Sequence, residues 1–286
     1  MFKFSSPVGT TPVSRLSLLF LACLGIKAID IFLIGIPEKN VPITITNTAG
    51  LLFLIFYLAA GNKDLKSIGI HTGRCPCCFV TGMLLIATAL FISYTIDFLL
   101  IMMNGENPGI MLAASGGNGV SDYSLPIYLK PVLAILLPSI MDSFLDEGLF
   151  RGAILHDITN VTFLKLNLVQ ACLYSVWHSV LPIGTIFITD TFPSVALGEI
   201  LIGFTFFVMF GYALGLLAFF TGSLVAPWTA NIIFMSVFSV LHIESSGEAD
   251  QQIPLRLLVL AVVFLFLSYS WYNERKTREV VSNDIL

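Results

Sequence analysis

The chain has 286 residues, of which 56% are hydrophobic, 12% aromatic and 11% charged, with a formal net charge of −4. Soluble domains carry about 25% charged residues, so this apolar excess excludes a soluble enzyme, a secreted disulfide scaffold and a disordered chain. The small, dispersed charge offers no basic surface for nucleic acid, and membrane lipids are the expected surroundings.

A spanning helix needs about 20 mostly apolar residues. Eight such runs stand at 14–37, 42–61, 78–103, 131–157, 165–189, 194–219, 222–245 and 253–272. The strict alternation of a membrane β-barrel is absent, so an all-α, polytopic membrane protein of about eight transmembrane helices in one bundle is predicted. The first run continues past Lys27 and Asp30 to Ile36 and reads as an uncleaved span; Lys27 and Asp30, three apart, predict a local ion pair. Cys75, Cys77 and Cys78 precede the third run and read as a juxtamembrane turn, whereas Cys23 and Cys172 sit in apolar runs as small hydrophobes. Asp97 and Glu199 stand as lone acids without an assigned role. The loop at 104–130 is rich in Gly, Asn and Ser and is expected to be mobile. Gly211 and Gly215 form a small-xxx-small pair that predicts close helix packing. His242 and the acidic run 244–250 are expected at the outer surface, solvated, and 273–286 reads as a short cytosolic tail.

With eight spans both termini share a side. That side collects Lys3, Arg15, Lys63, Lys66, Arg74, Lys165, Arg275, Lys276 and Arg278, against Lys39, Lys130 and Arg256 on the other. The bias places both termini in the cytosol. No internal repeat or linker divides the chain, so 1–286 is read as a single integral membrane domain with its polar core at 130–240.

Ionisable residues inside a membrane are expensive, which makes each a functional candidate. The densest cluster is Asp142, Asp146, Glu147 and Arg151 in the fourth run. Helical spacing puts Glu147 and Arg151 on one face, where an ion pair can form, with Asp142 and Asp146 turned away from it. One Arg cannot neutralise three carboxylates, so at least one acid must hold a proton, contact water or meet another polar group. His178 lies deep in the fifth run and Asn231 in the seventh, at depths compatible with a common site. A carboxylate, an imidazole and an amide can activate water and stabilise an oxyanion; the same residues can equally form a polar network that only ties helices together.

The segment Asp146-Glu147-Gly148-Leu149-Phe150-Arg151-Gly152 resembles the Glu-Glu-x-x-x-Arg motif of the CPBP family of CAAX prenyl endopeptidases and bacteriocin-processing membrane proteins. Tyr174 through His178 is similar to its Phe-x-x-x-His motif, and Gly222 through Asn231 to the approach to its His-x-x-x-Asn/Asp motif. The resemblance implies an intramembrane glutamic-type endopeptidase cutting near the cytosolic membrane face, with no metal or other cofactor. It implies Asp146 at the water-activating position, Glu147 as second acid, Arg151 ordering the acids, His178 beside the water, and Asn231 at an oxyanion position. Its implied substrate is a membrane-proximal peptide or lipidated protein. Two departures stand out: Asp146 is one methylene shorter than Glu, and Met235 occupies the Asn/Asp position, with Ser236 beside it. These departures leave a second reading open, a catalytically impaired member serving as a scaffold for a membrane protein partner.

Overall fold

A computed structural model describes residues 12–34, 45–70, 75–112, 129–158, 161–189, 193–246 and 248–283. Lipid offers backbone N–H and C=O groups no partner, so apolar runs of this length close their hydrogen bonds within themselves as helices. The long helices among the described residues are α1 (Pro12–Ile29), α2 (Ile45–Ala60), α3 (Cys75–Met103), α4 (Leu129–Asp146), α5 (Phe163–Thr189), α6 (Pro193–Thr221), α7 (Val225–Val240) and α8 (Ile253–Asn283). Wider π-helical turns carry α1 on through Ile34 and α4 on through Ile154.

The protein is an all-α integral membrane protein. Among the described residues, Val13–Leu33, Pro76–Met103, Leu197–Thr221 and Ile253–Glu274 are long and apolar enough to cross a membrane. Helices α2 and α7 are apolar but shorter, at 16 residues each. Helix α4 carries the charge instead. The core lies between α1, α3, α4, α5, α6, α7 and α8, where Ile86, Phe150, Trp177, Phe206, Phe210 and Phe264 are fully buried. Phe210 of α6 stands against Phe234 of α7 and Phe264 of α8, with ring centroids 4.8 and 5.3 Å apart. Helices α3 and α7 approach so closely that a Cβ on Gly82 would lie 2.2 Å from the Ala226 carbonyl oxygen. The Gly211/Gly215 pair does the same between α6 and α5: a Cβ on Gly215 would lie 1.8 Å from Asn167 Oδ1.

One end of the bundle departs from expectation. The seventh run does not stay helical to 245: α7 stops at Val240, and Leu241–Ser245 forms strand β2, between β1 (Gly109–Leu112) and β3 (Glu248–Ala249) in an antiparallel sheet. The pairing of Ile110 with Ile243 and Met111 with His242 supplies hydrogen bonds that a further helical turn would otherwise supply. Part of the expected mobile loop is therefore strand β1, while 113–128 lies outside the described residues, as do Lys3, Lys39 and Arg74.

His242 and Asp250 are not solvated as expected. His242 is 2% exposed and its Nδ1 hydrogen-bonds Asp250 Oδ2. Asp250 Oδ1 accepts from Arg256 Nη2 at 2.7 Å and from the Ile243 N–H at 3.1 Å. Arg256 Nε donates to Asp97 Oδ2 at 2.6 Å, so Asp97 is not a lone acid and Arg256 is no free surface charge. The fold buries the Arg256 guanidinium, and a buried cation must be met by acids. Burial works against the Asp250 charge, yet the His242 hydrogen bond and the Arg256 charge hold its carboxyl below the usual carboxylate range.

Candidate functional site

The site is built on α4 where its helical turn widens. Residues Glu147–Ile154 form π-helix and all eight are buried. Such turns are rare and recur at functional sites. Gly148 and Gly152 allow the surrounding chain to press in: a Cβ on Gly148 would lie 2.4 Å from Leu54 Cδ2, and one on Gly152 3.1 Å from Ile68 Cβ. The adjacent acids then meet different helices.

Asp146 faces α5. Its Oδ2 lies 3.0 Å from His178 Nε2. The imidazole is held by rings on two helices, stacked on Phe207 of α6 at 4.3 Å and 11° and edge-on to Tyr174 of α5 at 4.4 Å. The His178 side chain is 14% exposed and that of Asp146 is 0% exposed, so the imidazole is the accessible end of the pair.

Glu147 faces α7. Its Oε1 accepts from Arg151 Nη1 at 3.2 Å and from Asn231 Nδ2 at 3.3 Å. Arg151 is fixed in turn: Nη2 donates to the Gly211 carbonyl at 3.0 Å, and the guanidinium lies 4.3 Å from the Tyr174 ring centroid. Gln170 Nε2 donates to the same carbonyl at 3.0 Å and to Asn167 Oδ1 at 2.8 Å. Asp146 Oδ1 and Glu147 Oε2 are buried and meet no hydrogen-bond partner among the described residues. Buried acceptors of this kind call for a partner such as a bound water or a substrate N–H.

The structure thus brings Asp146, Glu147, Arg151, His178 and Asn231 into one cluster drawn from three helices. Met235 packs against the hydrophobic core, and Ser236 Oγ is buried without a partner among the described residues. Lys27 and Asp30 interact electrostatically but make no direct ion pair among the described residues. Asp30 Oδ2 accepts from the Thr46 N–H and hydroxyl at 2.9 and 2.6 Å. Lys27 Nζ instead lies over Trp177, 4.1 Å from its ring centroid. The π turn starting at Asp30 breaks the α-helical register on which the i,i+3 pairing rested.

Four participants escaped the sequence reading: Lys27 as a neighbour of the site, the Gly211 carbonyl, Gln170 and Phe207. The charge of Lys27 inside an apolar run was a visible signal, but it was assigned to the nearest acid in the chain. Gly211 stood out only as a packing residue, and its carbonyl carries no sequence signature.

The arrangement has an acid–imidazole pair able to take and return a proton, beside a second acid clamped by a guanidinium and an amide. Residues 128–235, which contain all five residues of the cluster, match the family model described as Type II CAAX prenyl endopeptidase Rce1-like. No curated protein matches the chain.

Proposed function

We propose that this chain, Rce1-like across residues 128–235, is a metal-independent intramembrane endopeptidase that hydrolyses a peptide bond near the cytosolic membrane face. The observation that carries the reading is the Asp146–His178 contact at 3.0 Å, set beside the Glu147–Arg151–Asn231 cluster. In this reading a water bound between the two acids loses a proton to the Asp146–His178 pair as its oxygen adds to the scissile carbonyl carbon. The carbonyl oxygen becomes an oxyanion, and the second N–H of Asn231 Nδ2 donates to it. Collapse breaks the C–N bond, and His178 returns the proton to the departing amine. Arg151 keeps Glu147 in place and touches no reacting atom.

The substrate class is a membrane-proximal or lipid-bearing peptide, because the acids are buried among apolar helices and the matched family model is that of a prenyl endopeptidase. The eight helices are read as a multi-pass bundle with both termini in the cytosol. The excess of Lys and Arg on the side of the termini supports that orientation.

A second reading, a catalytically impaired scaffold, draws on Met235 at the Asn/Asp position and on the engagement of Asn231 with Glu147. Purified protein in nanodiscs, offered a quenched prenylated CAAX-type peptide and unmodified peptides with and without EDTA, separates the two. EDTA-insensitive cleavage that disappears in His178→Ala and Asp146→Ala is the expected result. Folded wild type that cuts none of the panel transfers the reading to the scaffold.

A further inference from the structure

Charge balance inside the site is incomplete when only the helices of the motif are counted. Asp142, Asp146 and Glu147 all lie on α4 or its extension, and the Arg151 guanidinium is committed to Glu147 Oε1 and the Gly211 carbonyl. Asp142 and Asp146 repel each other and are close enough to interact. Buried carboxylates of one sign stay ionised together only with a cation beside them.

That cation comes from the first helix. Lys27 interacts electrostatically with Asp142 and Asp146, and more weakly with Asp30 of its own helix. Its ammonium rests over Trp177, the chain neighbour of His178, 4.1 Å from the ring centroid. The placement is built and braced. Just beyond Lys27, Asp30 is tied to Thr46 of α2, and Ile31 presses so close to α5 that a Cβ on Gly184 would lie 2.3 Å from Ile31 Cγ2. Burial alone works against an ammonium, and the aromatic face with the nearby carboxylates offsets that cost.

We propose that Lys27 is a positioning residue of the peptidase site, the second fixed cation that balances Asp142 and Asp146 so that Asp146 serves as acceptor for His178 and for the attacking water. The proposal rests on the peptidase reading for its catalytic consequence. Its electrostatic part stands on the Lys27 placement alone. The charged and titratable groups around Asp146 are Asp142, Glu147 and Arg151 on its own element, Tyr174 and His178 on α5, and Lys27 on α1.

The test compares full-length wild type, Lys27→Met, Lys27→Gln and Lys27→Arg in nanodiscs by two measurements. The first is the rate of cleavage of the quenched prenylated peptide against pH. The second, independent of activity, is the infrared band of protonated carboxyl groups, with Asp146→Asn to assign it. The neutral variants are expected to cut about tenfold or more slowly near neutral pH, with the acid limb of the profile moved upward by about 1–3 pH units. Lys27→Arg should recover most of the rate. The neutral variants should also gain a carboxyl band that the added Asp146→Asn change removes. Wild-type rate and profile in a folded neutral variant, with no new band, overturns the proposal. So does Lys27→Arg cutting as slowly as Lys27→Met, which would make side-chain shape and not charge the determinant. If wild type cuts no peptide while the Asp146-dependent band appears in the neutral variants, the peptidase reading falls and the charge-balancing role stands.

Discussion

Asp146 is a methylene shorter than the Glu of the family motif, yet its Oδ2 lies 3.0 Å from His178 Nε2. The turn of α4 and the seating of His178 on Phe207 deliver the imidazole to the shorter acid, so reach is not what limits this pair. The side chain is fully buried, and an extra methylene must displace neighbours. Asp146→Glu is therefore expected to cut more slowly than wild type and to lose about 1–3 kcal/mol of stability from overpacking. Thermal unfolding alongside peptide cleavage checks this, and a faster Asp146→Glu enzyme would show that carboxylate reach is limiting after all. At the other end of the pair, His178→Gln keeps a polar partner for Asp146 and should unfold near the wild-type temperature. It should nevertheless lose about 10²–10⁴-fold in cleavage, since an amide cannot shuttle a proton. Cleavage at the wild-type rate would remove His178 from the mechanism. The acids, Arg151, His178 and Asn231 were all legible as candidates because polar groups inside apolar runs are conspicuous. Their pairing was only partly legible: Glu147 with Arg151 follows from helical spacing, whereas Asp146 with His178 spans 32 residues of chain.

At the scale of elements, α3 and α7 meet where Gly82 faces the Ala226 carbonyl. The contact atom is backbone, so it cannot swing aside as a side chain can. Gly82→Ala must push the two helices apart, which shifts α7 and with it the Asn231 amide that reaches Glu147. The expected outcome is a lower unfolding temperature in detergent and a cleavage loss larger than the substitution's distance from the acids suggests. An unchanged unfolding temperature would mean the helices have slack at this crossing. The order and approximate positions of the helices were readable from apolar runs alone, because each helix satisfies its own backbone. The end of α7 was not. Leu241 through Glu244 are as compatible with helix as with strand, and the residues that decide the matter are Gly109–Leu112, about 130 positions earlier in the chain.

For the molecule as a whole, the buried network of His242, Asp250, Arg256 and Asp97 ties the sheet to α3 and α8. Asp250 is held below its ordinary range in the folded protein. A group with a depressed folded value contributes stability above its unfolded value, about 3.9 for Asp. It loses that stability as pH falls through the folded one. Unfolding temperature should accordingly drop as pH falls below about 4, and Asp250→Asn should lower stability at neutral pH while flattening that drop. Parallel acid profiles for the two proteins would show that the Asp250 carboxyl has no part in the acid sensitivity. Composition determined that this is a membrane protein, because an apolar excess of this size has no other solvent, and the absence of strict apolar–polar alternation made its spans helical. The motif spacing determined which α4 residues are charged and near one another, because helix geometry relates neighbours four apart. Tertiary structure alone decided that Asp146 takes His178, that Glu147 takes Asn231, that Lys27 lies over the face of Trp177, and that His242 and Arg256 are buried. Each of those choices sets one helix or strand against another, and the energy of a buried charge depends on what stands opposite it in space.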